Sequence, residues 1–588
     1  LSKPREFSDQ ARLFLALALS TGIFVVWNVL FPPPKPQRPA APPAAQSPAT
    51  PSTSAPSATN GAPGTTTGAS PGGTPAKAAS GQAAPAPVQE ARAALAEGVT
   101  VVENDVYRIE FSNRGGVVRS WKLKNFVDSR EKPQVLDVVD AGAAQQVGAW
   151  PLSFLLDDKP TQHRINDALF IVAPLEPTLR APGELTYEWS DGSLAARKTL
   201  RFRAGYVVEI ETLVSRDGVP LPHAVAWRGG FGDTASWGHA ELVRVLHRNG
   251  AAVSYLMHNT LGDGEHRDIP KRFDTAASYA GIDDRYFAAV FLPRGEGLAF
   301  WHWKHEAEKE LKPGEKRKVP VAEVAAGSTV AGPLALRLFV GPKDFAVLNE
   351  LRPPMPEVVD FGWDWLEVFA KPLFAFLKWL NGYTGNYGWA IVLMTLIINM
   401  VMFPLKVKQW RSMQKMQRVM PEMQAIKQKY AKYTLRDPRK QEEQQEMMAL
   451  YKREGINPAG SCLPMLLQMP IWFALYQMLG AAIELRHAPW ILWLRDLSAP
   501  DPWYILPAVM AVSMFVMQKM TPMTTTDPVQ QQMMTIMPIM FGGMFVIFPV
   551  SSGLVLYILT SNLVAMAQQW YLNKTNPLKP AEGRPKKK

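Results

Sequence analysis

The sequence predicts a polytopic α-helical membrane protein of six spans, with a five-helix core and a cytoplasmic helical hairpin, carrying an all-β sandwich outside the cytoplasm. Three observations predict it. An apolar run, Leu13–Phe31, closes on Pro32-Pro33-Pro34. Apolar and polar residues then alternate with period two between about Val99 and Pro342, the mark of half-buried strands. From Met355 onward, where 24 of the 25 Met lie, five apolar segments recur without charge.

Residues 1–31 read as an N-terminal anchor. The run of 19 residues follows Lys3, Arg5 and Arg12, which places the N-terminus in the cytoplasm. A cleaved signal peptide has a core of roughly 7 to 15 residues and a small-residue cleavage site. This run is longer and meets proline, so an uncleaved anchor is expected. Residues 32–98 read as a Pro/Ala-rich disordered linker: Pro32 to Pro87 holds 15 Pro and no Val, Ile, Leu, Met, Phe, Tyr or Trp. Such a stretch lacks the apolar surface to offset its ordering entropy.

Residues 99–345 read as the β sandwich. Tyr107, Ile109 and Phe111 alternate with Arg108 and Glu110, and Asn113-Arg114-Gly115-Gly116 turns the chain into Val117–Leu123. A second pair runs from Leu200 and Phe202 through Ala204-Gly205 to Tyr206, Val208 and Ile210. Many short strands of this kind suggest a sandwich. Residues 346–386 read as an interfacial amphipathic region, because Trp363, Trp365, Phe369, Phe374 and Trp379 share it with Asp364, Glu367, Lys371 and Lys378.

Residues 387–572 read as the five-span core: Trp389–Leu405, Leu463–Ala482, Trp503–Gln518, Met533–Val550 and Leu554–Leu572, none holding Asp, Glu, Lys, Arg or His. Between the first two lies the hairpin, 406–460, with 13 Lys+Arg against 6 Asp+Glu. The tail, 573–588, carries Lys574, Lys579, Arg584, Lys586, Lys587 and Lys588. Both are expected in the cytoplasm, and Ile483–Pro502, with Arg486 and Arg495 against Glu484, Asp496 and Asp501, outside it. In the hairpin Met413, Met416, Met420 and Met423 recur at helical spacing. They either pack one helix on the other or offer an adaptable apolar surface that recruits partner segments.

Several function classes are excluded or weakened. Cys462 is the only cysteine, so neither a disulfide framework nor a Cys-based zinc site can be built. No phosphate-cradling G-x-x-x-x-G-K-[ST] loop occurs, and Ser412-Met413-Gln414-Lys415 lacks the partners of an S-x-x-K nucleophile. No enzyme, cofactor or metal is expected. The net charge of +11 follows mainly from topology, although the basic tail suits ribosomal RNA and anionic lipid. Uncharged polar residues within the spans are either interhelical glue or the lining of a wet cavity. Thr395 and Asn399 share one helical face, and Lys406, about 10 Å further along, falls on nearly the same face.

Further motifs carry a resemblance. Tyr387-Gly388-Trp389, Phe403-Pro404-Leu405, Gln445 to Lys452, Asn457-Pro458 and Leu466-Leu467-Gln468-Met469-Pro470 resemble the YidC-type membrane-protein insertases. So do Asp496-Leu497-Ser498, Gln518-Lys519-Met520, Ser552 to Tyr557 and Ser561-Asn562-Leu563-Val564. Anchor, outer β domain and core together resemble the Gram-negative form. The resemblance implies a multi-pass protein of the bacterial inner membrane, with a periplasmic β domain and a groove open to cytoplasm and lipid. The groove set is Thr395, Asn399, Lys406, Gln468, Gln518, Tyr557 and Ser561, and the hydrophobic slide Met469, Trp472, Met533, Met537 and Phe541. The family's groove arginine falls at Asn399, which leaves either a neutral groove or one charged by Lys406 at its rim. Implied partners are nascent membrane proteins, the SecYEG translocon, the ribosome through the cytoplasmic loops and tail, and anionic lipids. The alternative is a solute transporter or channel.

Overall fold

A computed structural model describes residues 90–130, 132–235, 243–250, 252–257, 261, 270–273, 277–294, 298–312, 315–433, 437–455, 463–521, 536–537, 540, 543–545 and 550–575. The expected anchor, most of the linker, and residues 576–588 of the tail lie outside these residues.

The strands between Val99 and Pro342 form three sheets, one of ten strands and two of five, where the sequence suggested a simple sandwich. Alternation set the local pairs. Tyr107–Ser112 runs antiparallel to Val117–Val127. Leu194–Phe202 pairs with Val207–Arg216, Ile210 opposite Leu200, across a turn where Gly205 takes φ +82°. Phe111 and Trp121 from one small sheet, Phe154 and Trp227 from the other, and Leu200, Val208 and Leu338 from the large sheet meet in one core. Strand Phe287–Pro293 is apolar at nearly every position because its sheet is covered twice. Ala289 and Phe291 enter that core, whereas Ala288, Val290 and Leu292 pack with Met355, Val358 and Phe361 at the start of the helical half.

The linker expectation is corrected at its end. Residues 90–98 lie on the β domain: Arg92 and Ser190 exchange backbone hydrogen bonds, and Ala94 N–H donates to the Leu169 carbonyl. The Asn113 side chain accepts from Gly98 N–H and donates to the Ala96 carbonyl, while the Glu97 carboxylate accepts from Ser112 and Arg114. These bonds order a stretch whose composition alone offers no core.

Ten helices are described: α1 (Ala141–Val147), α2 (Lys159–Asp167), α3 (Phe345–Glu350), α4 (Asp364–Thr384), α5 (Tyr387–Val401), α6 (Phe403–Lys429), α7 (Arg439–Arg453), α8 (Leu463–Ala481), α9 (Ile505–Met520) and α10 (Ser552–Thr575). Helix α4 buries Leu366, Ala370, Phe374, Leu377 and Leu380 at helical spacing and leaves Trp365, Val368, Trp379 and Tyr383 exposed. It ends at Gly385 in the left-handed region, and the Asn386 side chain caps α5 by accepting from Gly388 and Trp389 N–H. Among the described residues no single helix is long and apolar enough to cross a membrane. Residues Trp365–Thr384 and Tyr387–Val401 pass together, bent by 120°.

Two expected boundaries shift. The apolar segment expected to run to Leu405 breaks at Met402, because Pro404 lacks an N–H and opens α6, so Lys406 stands in that helix's first turns. The expected tail begins too early, since Asn573 belongs to α10, accepts from Trp410 Nε1 at 3.1 Å and donates to the Met520 carbonyl.

Helices α6 and α7 pack against each other as a hairpin. Val419, Met423 and Leu450 are its buried seam, with Met416, Met447 and Tyr451 beside them. Ion pairs Lys429–Glu446 and Arg453–Glu422 tie its edges.

Candidate functional site

Helix α6 follows α5 after Met402 alone, whose backbone stays helical, and α10 lies against both. Asn399, 4% exposed, is the centre of the contact. Its Nδ2 donates to the Thr395 carbonyl at 2.8 Å and to Ser561 Oγ on α10 at 3.4 Å. Its Oδ1 accepts from Lys406 Nζ at 2.7 Å. Lys406 Nζ also donates to Gln568 Oε1 at 3.1 Å, and Gln568 Nε2 donates to the Asn399 carbonyl at 3.1 Å. Asn399, Lys406 and Gln568, from three helices, thus close one ring that includes the ammonium, and Ser561 joins it through Asn399. Among the described residues no carboxylate lies within ion-pair distance of Lys406, so amide oxygens alone face its charge in charge-assisted hydrogen bonds.

Burial changes along the length of α10. Ser552 to Tyr557 are all buried, whereas Ser561 to Gln568 are half-buried or exposed. The ring therefore sits beside the stretch of α10 that is only partly covered.

Of the groove set, Asn399, Lys406 and Ser561 come together. Tyr557 is buried one turn above Ser561, in the apolar cluster that holds Ile391 and Met394. Thr395 is fully buried and its hydroxyl donates to the Ile391 carbonyl at 2.7 Å, so its expected place as an open groove donor is corrected: a buried hydroxyl shares the carbonyl four residues earlier in its own helix. Gln468 on α8 and Gln518 on α9 are half-buried. The ring's hydrogen bonds come from α5, α6 and α10. Gln568 belongs to the ring but not to the expected set. Its signal was present, since it follows Ser561 by the same seven residues that separate Lys406 from Asn399.

Of the slide set, Met469 and Trp472 are exposed on α8, with Trp472 stacked on Tyr476, and Met537 is exposed. Met533 and Phe541 lie outside the described residues. Of the four hairpin methionines, Met423 is buried between the helices and Met416 packs beside it. A recruiting role for these two is corrected by their use as hairpin packing. Met413 and Met420 keep accessible surface. In the β domain, His305 lies 2.8 Å from Glu323 and His302 packs against Phe273.

Residues 379–579 match the family described as 60Kd inner membrane protein, and residues 99–376 match the YidC periplasmic domain. The chain is 34% identical to the membrane protein insertase YidC of Cupriavidus metallidurans over 88% of this chain and 87% of that one. It is 31% identical to that of Syntrophus aciditrophicus over 96% and 99%. A solved structure of an active YidC insertase with its first transmembrane domain resolved is similar over 81% of this chain and 95% of that one, at 19% identity and a TM-score of 0.33. By its identity to these relatives over most of both chains, the chain belongs to the YidC family of membrane protein insertases, inner-membrane proteins with a periplasmic domain.

Proposed function

We propose that this chain inserts and folds inner-membrane proteins, alone or with the SecYEG translocon, through a polar groove in the inner leaflet and without nucleotide hydrolysis. The Lys406–Asn399–Gln568 ring, with Ser561 joined to it through Asn399, is the observation that carries the reading. A substrate span gains by entering lipid, but its polar flank must cross hydrocarbon, where each unpaired backbone group costs several kcal/mol. Side-chain amides and an ammonium partway across give that flank hydrogen bonds and shorten the dry path. The chain has Asn where the family carries its groove arginine, and Lys406, bonded to that Asn, returns the positive charge to the same place. Acidic flanks are then favoured, as with a fixed arginine. The buried upper part of α10 and the open lower part support a groove closed to the periplasm, which favours insertion over a continuous solute path.

In this reading the anchor and five further spans put both termini in the cytoplasm and the β domain in the periplasm, with α4 along the outer surface. Met469, Trp472 and Met537, with Met533 and Phe541, form an adaptable exit for the incoming helix. Nascent chains arrive from the ribosome near the hairpin, through the free surface of Met413 and Met420, and near the basic tail, which also meets anionic lipid.

The test is insertion of a short single-span protein into liposomes holding only this chain, scored by protease protection, without ATP. Wild type is expected to insert it, and Asn399→Leu and Lys406→Ala to lose most for substrates with polar translocated tails. Absence of insertion by folded wild-type protein would overturn the autonomous reading.

A further inference from the structure

A cleft of about 440 Å³ separates the β domain from the loop that joins α8 to α9. Its lining includes Arg130, Arg285, Arg495 and His487 but a single carboxylate, Asp496. That carboxylate is already engaged: it accepts from Ser498 N–H and Oγ at 2.8 and 2.7 Å and lies 3.4 Å from His487 Nδ1. Arg130 pairs with Asp128 at 3.3 Å, and Arg285 extends over the Tyr286 ring. Arg495 is exposed, and among the described residues no carboxylate lies within ion-pair distance of it. The cleft thus holds excess positive charge, with one guanidinium fork open. That geometry suits a phosphate, which takes two parallel N–H donors from a single arginine.

The same loop points to the source of the phosphate. Leu492 is 81% exposed, and Ile491, Trp503 and Tyr504 are exposed beside it. Leu492 is also held at φ +54°, a left-handed conformation that is unfavourable for leucine. Trp493 stacks on Trp503, and its Nε1 donates to Asp501 at 3.0 Å. A leucine on strained backbone, set among tryptophans and arginines, is unfavourable in water and well placed at a headgroup boundary. A soluble phosphate ester would need no such neighbours.

We propose that this cleft binds the phosphodiester headgroup of an anionic phospholipid of the outer leaflet, with Arg495 forked onto the phosphate, Arg130 and His487 beside it, and Leu492 and Trp503 against the acyl chains. The inference rests on the topology proposed above, which puts this loop at the periplasmic surface.

The full chain, purified in a zwitterionic detergent, is incubated with dioleoyl phosphatidylglycerol or dioleoyl phosphatidylcholine, and bound lipid is counted by native mass spectrometry. Wild type is expected to retain phosphatidylglycerol about tenfold over phosphatidylcholine, the order of factor one charge-assisted hydrogen bond supplies. Arg130→Ala with Arg495→Ala is expected to abolish the preference, Arg495→Lys to reduce it, and Leu492→Ser to weaken retention of both lipids. Retention of the preference by the double alanine variant overturns the site. Displacement of phosphatidylglycerol by millimolar inorganic phosphate, with Leu492→Ser behaving as wild type, overturns the lipid and leaves a small-anion site. Topology is read separately from Val330→Cys, an exposed position of the β domain, in a Cys462→Ser background, with an impermeant maleimide applied outside sealed cells. Labelling without a lipid preference sinks only this inference, whereas absence of labelling sinks the topology beneath it.

Discussion

Lys198 is fully buried in the β domain, where its ammonium donates to the carbonyls of Gly115, Gly116 and Leu152 at 3.2, 2.7 and 2.6 Å. Burial pushes its pKa down to about 7. In the unfolded chain the group keeps its proton to about pH 10.4. Between those values the unfolded state binds more protons, so stability rises with pH, by at most about 1.4 kcal/mol per unit. The melting temperature of the β domain should therefore climb from pH 7 to 9. Lys198→Met should lose that slope and, by orphaning carbonyls, about 3 kcal/mol of stability at pH 7. A wild-type melting temperature flat across this window would refute the shift. At the ring, the sequence disclosed Asn399 and Lys406 because seven residues is close to two whole turns, so one spacing fixed the face. It did not disclose that Thr395 would bond back to Ile391, or that Gln568 of a distant helix would complete the ring, since both depend on how α10 packs against α5. Gln568→Leu should slow insertion of substrates with polar tails about tenfold, the scale of a lost bond to a charged group, and spare short apolar ones. Equal slowing of both would mark Gln568 as structural only.

Individual elements were legible where one periodicity sufficed. The strand pairs around Gly115 and Gly205 and the helices of the hairpin follow from alternation or a 3.6-residue stripe. Less local features were not. Strand Thr178–Arg180 lies parallel to Val99–Glu103, and the chain corners by 120° between α4 and α5, both set by contacts remote in sequence. That corner makes a demand of its own. A Cβ on Gly388 would lie 2.2 Å from Trp490 Cδ1 and 2.6 Å from its Cβ, so the indole of the α8–α9 loop seats directly on the α5 backbone. Because the nearest atoms belong to the base of the side chain, a rotamer change cannot relieve the clash. Gly388→Ala should cost about 1–3 kcal/mol as overpacking, and Gly388→Ala with Trp490→Ala should recover part of it. Thermal melting of the two variants decides, and a silent Gly388→Ala would mean that the loop is free to move away.

At the scale of the whole molecule, Arg244–Asp360 and Arg486–Asp233 tie the β domain to the helical half, and Asp283 holds Arg244 from within the domain. Arg244 reaches Asp283 at 3.1 Å and Asp360 at 2.8 Å, and Lys343 reaches Asp283 at 2.9 Å. Arg486, from the loop directly after α8, meets Asp233 of the β domain at 2.7 Å and donates to the Val127 carbonyl at 2.5 Å. Burial pushes the Asp233 carboxyl up, but hydrogen bonds from Ser129 and Arg486, with the arginine's charge, outweigh it and hold the group below the usual carboxylate range. A depressed carboxylate stabilises the fold above its unfolded pKa of about 3.9, and that contribution is lost as pH falls through the lower folded value. The junction should therefore hold at neutral pH and weaken only in strong acid. Arg486→Leu removes one partner and strands Asp233 in the interface, which costs about 3–5 kcal/mol. Arg486→Leu with Asp233→Asn leaves no orphan charge and should regain much of that loss. Melting temperature and the rate of proteolysis between the domains would report it, and a double variant no better than the single would assign the loss to packing around Arg486. The position of this pair gives it a functional reach, because α8 carries Met469 and Trp472 on its exposed face. Holding that end of α8 against the β domain fixes the direction in which that face meets an incoming helix in the reading proposed above. Arg486→Leu should thus impair insertion even at temperatures where the β domain stays folded.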